Sequence, residues 1–134
     1  AFFGEKDYQQ YLVIKKMTES LKLNTRIICV KTVRDRNGLP LSSRNSYLSG
    51  QEFKIAIKIN KLLKKLPPLI RTKLKINKIL NHTKKILIHH GVDKIDYLTV
   101  LNDDLSVRKK ISDKSRIFIA AKIGNTRLID NIKI

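Results

Sequence analysis

From Glu5 to about Leu21, the apolar residues Val13, Ile14, Met17 and Leu21 recur at helical spacing, predicting a helix with one apolar stripe. Acidic Glu5 and Asp7 suit its first turn, where the helix dipole favours negative charge. The run Thr25 to Val30 reads as a short buried strand, and Ala1-Phe2-Phe3-Gly4 as the end of a strand entering a turn. Strand end, helix and strand together are the tail of a parallel α/β unit. Between Lys31 and Ser49 the periodicity disappears and turn residues take over: Asn37-Gly38, Pro40 and Ser42-Ser43-Arg44-Asn45-Ser46. Loops this long in compact chains are functional or disordered, and the mix of apolar and specific polar residues argues against disorder.

Ser49-Gly50-Gln51-Glu52 has the spacing of a capping box, so a helix starts there and continues through Phe53, Ala56, Ile57 and Asn60 to Leu63. Pro67-Pro68 is expected to stop it. A second, antiparallel helix is predicted from near Thr72 to His90, carried by Ile76, Ile79, Leu80, Thr83 and Leu87 and ended by Gly91. Ile95 to Leu101 reads as a strand, and Ile117 to Ile123 and Thr126 to Ile132 flank the hairpin dipeptide Gly124-Asn125. The predicted class is α/β: half of a Rossmann-like domain, followed by an α+β region with helices and an antiparallel sheet.

Composition adds a strong positive charge, +18 in 134 residues, with 21 Lys but only 8 Arg. Such a balance raises the alternative of a basic nucleic-acid-binding α+β module. Ile (19 copies) and Asn (9 copies) are overused as well, a bias that codon composition produces without selection for a polyanion. The lysines run all along the chain, with no Arg-rich arm, zinc-finger spacing or aromatic-basic RNA signature. Cys29, inside Ile27-Ile28-Cys29-Val30, reads as a small buried thiol. His82, His89 and His90 lack partners at metal-ligand spacing and read as helix-surface or helix-end residues. Neither a signal peptide nor an apolar span of about 18 residues is present, so a cytoplasmic location with no membrane partner is the expectation. The start at Ala1, not Met, leads us to expect a segment upstream.

Two stretches could carry chemistry. In Gly4-Glu5-Lys6-Asp7-Tyr8-Gln9-Gln10, a strand-to-helix junction offers unpaired backbone N–H groups to an anion, Gly4 allows close approach and Lys6 adds a full charge. Asp7 and Gln10, three apart, share a helix face and could hydrogen-bond one polar ligand. Each also has an ordinary use: a solvated lysine, a dipole-compensating acid, a surface amide. In Leu41-Ser42-Ser43-Arg44-Asn45, hydroxyls and a guanidinium on a loop make a clamp for a triphosphate, although a plain turn has much the same composition.

Together these stretches resemble the pantothenate synthetase family: F-G-E-K-D-Y-Q-Q, then T-V-R-D-R-N-G-L-P-L-S-S-R-N-S-Y-L-S, then T-R-L-I-D-N, in family order. The likeness runs from Phe3 to the end, by pattern alone between Lys54 and Val92, and implies that residues 1–33 are the tail of a Rossmann-like nucleotide-binding domain and 34–134 a small C-terminal α+β domain, with a hinge and phosphate loop at 34–48. It implies an ATP-dependent condensation of pantoate with β-alanine through a pantoyl adenylate, releasing AMP and pyrophosphate, with Mg2+ accompanying ATP. In that family Leu-Ser-Ser-Arg is the second signature of a nucleotidyltransferase superfamily; the first, a histidine pair, would lie upstream of Ala1. The resemblance places ATP contacts on Gly4, Glu5, Lys6, Asp7, Val33 (by its backbone), Leu41, Ser42, Ser43 and Arg44. Lys6, Ser42, Ser43 and Arg44 would serve catalysis, and Gln10 would hold pantoate. It implies a homodimer for the full-length enzyme, with no protein-held metal and no specific nucleic acid. Lys31 departs from the family, which usually has Pro before Thr32.

Overall fold

A computed structural model of the chain describes residues 1–72, 75–106, 111–112 and 114–134. Strand β1 (Phe2–Gly4) leads through a 3-10 turn (Glu5–Asp7) into helix α1 (Tyr8–Ser20), and β2 (Ile28–Val30) pairs parallel to β1. A second 3-10 turn (Ser43–Tyr47) precedes helices α2 (Gly50–Thr72) and α3 (Ile76–His89). Strands β3 (Lys94–Asn102), β4 (Ser115–Ile123) and β5 (Thr126–Lys133) then form an antiparallel meander in the order β3-β4-β5.

The capping box forms as its spacing predicts. The Ser49 N–H donates to the Glu52 carboxylate at 2.7 Å and the Glu52 N–H donates to Ser49 Oγ at 3.3 Å. Pro67-Pro68 does not end this helix, contrary to the expectation; α2 continues to Thr72 with both prolines inside it. Two prolines remove two helical donors. Leu66 and Ile70, on either side of them, continue the Ala56–Ile59–Leu63 stripe and are 3% and 1% exposed, so burial of the stripe outweighs the local cost.

β4 is buried along nearly its whole length, and its inner residues Ile117, Ile119, Ala121 and Ile123 meet α2, α3 and Leu128 in one core. The hairpin closes at Ile123 and Thr126 as predicted, and only Gly124 of the turn pair has positive φ, 54°. That is the type II′ pattern, which asks for Gly at the first central position.

The first region departs from expectation. The helix over 5–21 is split into a 3-10 turn and α1, and its apolar stripe is bare: Val13 is 57% exposed and Leu21 62%. Only Thr18 of α1 is buried, its hydroxyl donating to the Ile14 carbonyl. The strand expected over 25–30 shortens to β2, and Cys29 is exposed, not buried. β1 and β2 form a two-stranded sheet, so each has a strand on one side only among the described residues. Desolvation of the sulfur itself, and then Glu5, still push the Cys29 thiol pKa up, so it stays protonated.

Candidate functional site

The segment between β2 and α2 is built, not loose. Leu41 N–H donates to the Val33 carbonyl, Arg34 bridges to Pro40, and Asp35 caps the turn by accepting from the Asn37 and Leu39 N–H groups. Leu39, 5% exposed, plugs the loop into the core. Gly38 sits at φ 86°, and a Cβ there would lie 2.5 Å from Asn60 Oδ1, so both backbone and space demand glycine.

This loop carries Leu41-Ser42-Ser43-Arg44 to the turn that holds Lys6. Lys6 Nζ donates to the Leu41 carbonyl at 3.3 Å. Ser42 Oγ accepts from the Arg44 N–H at 3.2 Å and so starts the 3-10 turn. Ser43 and Arg44 are exposed, and among the described residues no carboxylate pairs with the Arg44 guanidinium. Desolvation by burial lowers the Lys6 pKa; the Arg44 and Arg34 charges act the same way, against Asp7 and Asp130. Arg34 is neutralised by Asp130, but Lys6 and Arg44 repel each other, and an anion delivered between these two would relieve that repulsion.

Gly4 precedes this turn with φ −70° and ψ 133°, and a Cβ there would meet nothing within 4 Å. No part of the chain therefore requires glycine at that position. Asp7 and Gln10 line a common cleft of about 750 Å³ between α1 and the outer face of β3 to β5. Val33 is 64% exposed and tied to Leu41 by its carbonyl. Glu5 differs from the rest: its carboxylate is taken by Arg116 at 2.8 Å. Its side chain thus has a structural partner in place of open space.

Sequence reasoning missed the residues that join these pieces. Arg34 makes a two-pronged pair with Asp130, both contacts 2.8 Å, and also donates to the Gly38 carbonyl. Asn131 Nδ2 donates to the carbonyls of Glu5 and Lys6 at 2.8 and 3.0 Å. Arg116 donates to Asn131 Oδ1 and lies over the Tyr8 ring, 4.3 Å from its centre. Arg116 Nε is 3.5 Å from Asp103 Oδ1, close enough to attract but without hydrogen-bond geometry. The signal was present in part: Arg116 stands directly before the apolar run Ile117-Phe118-Ile119-Ala120-Ala121, and a charge carried into such a strand needs buried partners. Among the described residues there is no cluster of three His, Cys, Asp or Glu suited to a metal, and no helix long and apolar enough to cross a membrane.

A half-buried lysine, a hydroxyl-capped turn and an unpaired guanidinium, carried by an α/β segment, have the donors and the charge that receiving an anion requires. The particular family follows from comparison: the chain belongs to the pantoate–β-alanine ligase family, whose model matches residues 1–133. It is 40% identical over 136 residues to the pantothenate synthetase of Bradyrhizobium sp. (strain BTAi1), covering 100% of this chain and 48% of the relative. Against the pantothenate synthetase of Endomicrobium trichonymphae the identity is 44% over 137 residues, covering 98% and 47%. A crystal structure of pantothenate synthetase from Thermus thermophilus superposes with a TM-score of 0.89 at 32% identity, covering 99% of this chain and 49% of that one. A pantoate–β-alanine ligase from Francisella tularensis, described as complexed with beta-gamma ATP and beta-alanine, superposes at 0.68 with 33% identity, covering 98% and 42%. The chain spans about half the length of the curated relatives it matches.

Proposed function

We propose that this chain supplies the phosphate-handling part of an ATP-dependent ligase that condenses pantoate with β-alanine. The observation that carries the reading is the meeting of the Lys6 turn with the Leu41–Arg44 loop beside the open space at Gly4. In the first step a pantoate carboxylate oxygen attacks the α-phosphorus of ATP, giving pantoyl adenylate and expelling pyrophosphate. In the second the β-alanine amine attacks the acyl carbon and AMP leaves. Both nucleophiles belong to substrates, so the protein's task is to position the reactants and neutralise spreading negative charge.

Lys6 and Arg44 perform that task as cations, with Ser42 and Ser43 as hydroxyl donors and Gly4, Glu5, Asp7, Val33 and Leu41 lining the nucleotide through backbone or side chain. Gln10, in the cleft with Asp7, hydrogen-bonds pantoate. Mg2+ fits this donor set as a companion of the nucleotide, because it is held largely by substrate phosphates and needs one or two carboxylates at most. Asp7 is exposed beside Lys6 and can serve; Glu5 is committed to Arg116. Residues 1–33 form the end of a Rossmann-like domain, residues 34–134 a small α+β domain, and 34–48 the hinge. The complete enzyme is a cytoplasmic homodimer in this reading.

Arg44→Ala in a complete ligase carrying this chain tests the assignment. Pyrophosphate release, followed before steady state, is expected to slow by about 10²–10³-fold, the cost of removing one preorganised charge stabiliser. Arg44→Lys should recover only part, since one ammonium cannot reproduce the guanidinium fork. An unchanged first step in Arg44→Ala removes the phosphate-clamp role.

A further inference from the structure

We propose that the Asp130-Asn131 step of β5 is a positioning element for the nucleotide site, holding the hinge loop through one residue and the Lys6 turn through the next. The inference rests on the reading above, in which those two segments share one ATP.

Neighbouring strand residues face opposite sides of a sheet. Asp130 faces α2, where its carboxylate accepts both prongs of Arg34 and, at 3.2 Å, Asn60 Nδ2. Asn131 faces the other side, where its amide donates to the Glu5 and Lys6 carbonyls and its Oδ1 accepts from Arg116. Its own carbonyl accepts from Arg34 at 3.4 Å, so Arg34 spans both residues. The pair is 5% and 4% exposed. A carboxylate and a carboxamide at such sites cost stability where an aliphatic residue would pack. Position 128 of the same strand shows the packing solution, a buried Leu. What the polar pair gains is attachment of two segments far away in sequence to one rigid strand, which sets the separation between Lys6 and the Leu41–Arg44 loop.

Reacting groups misplaced by about 1 Å lose about 10²-fold in rate. Asn131→Asp keeps an oxygen for Arg116 but replaces the donor to the two turn carbonyls with an acceptor. In a complete ligase carrying this chain, it should lower kcat for adenylate formation by about 10²-fold with little change in KM for ATP. Asn131→Ser, too short to span both carbonyls, takes its place where Asn131→Asp does not fold.

Asp130→Asn keeps the shape and removes one of the two carboxylates that hold the proton on Lys6, Asp7 being the other, while Arg44 and Arg34 act against them. A lysine that must be protonated to hold phosphate loses activity as pH rises through its pKa. Asp130→Asn should therefore move the alkaline limb of the rate profile to lower pH, which a purely structural role would not do. Folded Asn131 and Asp130 variants with unchanged kcat and an unmoved alkaline limb overturn the positioning role. If Arg44→Ala is slow while these variants are normal, only the positioning role fails. If Arg44→Ala is normal, the ATP reading itself fails.

Discussion

The two regions of this molecule are held together by different means. From Leu39 to Ile134, α2, α3 and the β3-β4-β5 sheet share one apolar core, to which no buried residue of 1–33 contributes. Residues 1–33 instead expose Phe2 (74%), Val13 and Leu21, and attach to the rest mainly by polar contacts, Glu5 to Arg116, Asn131 to the Glu5–Lys6 carbonyls and Lys6 to Leu41, with the Tyr8 ring against Phe118 as an apolar contact beside them. Apolar burial grows with area and tolerates small shifts, whereas hydrogen bonds fix distance and angle. The junction that must be exact for chemistry is therefore the polar one.

Substitutions should separate the two regions. Leu63→Ala opens a cavity in the core at a residue 1% exposed and should cost about 2–5 kcal/mol, read by denaturant melting of the whole α2–β5 body. A loss under about 1 kcal/mol would show that the core is not where stability resides. Glu5→Gln strips Arg116 of its 2.8 Å ion pair and should cost about 1–3 kcal/mol, after allowance for Glu5 being partly exposed. Hydrogen exchange should show it locally, speeding up over residues 1–20 with β3 to β5 protected as before. Equal loss of protection in both regions would mean that they unfold as one. Met17→Ser, on the bare face of α1, should change stability by no more than about 0.5 kcal/mol in this chain. A larger loss would mean that the face is covered.

Much of the second region was legible because its rules are local. The capping box at Ser49, the helix end at Gly91 and the hairpin at Gly124-Asn125 each depend on a few consecutive residues, and each formed. Pro67-Pro68 was misread because a local prohibition met a longer apolar stripe that wins by burial. Cys29 was misread because an apolar tetrapeptide implies a covered strand, and coverage belongs to the tertiary structure. The candidate site was legible in its parts, Lys6 and Leu41 to Arg44. The residues that assemble it were not: Arg34 finds Asp130 across 96 positions, and Arg116 finds Glu5 across 111. No spacing rule spans such distances, although a lone arginine between Ser115 and Ile117 does announce that a partner exists.

The central claim is that the Lys6 turn and the Arg44 loop act on one triphosphate, and a double-mutant cycle tests it most directly. Lys6→Ala, Arg44→Ala and the double variant, in a complete ligase carrying this chain, would be compared by their rates of pyrophosphate release. Two cations on one substrate should be coupled, so the double variant should depart from the sum of the single losses by about 0.5–3 kcal/mol. Losses that add to within about 0.3–0.5 kcal/mol would place Lys6 and Arg44 at independent sites and contradict the account.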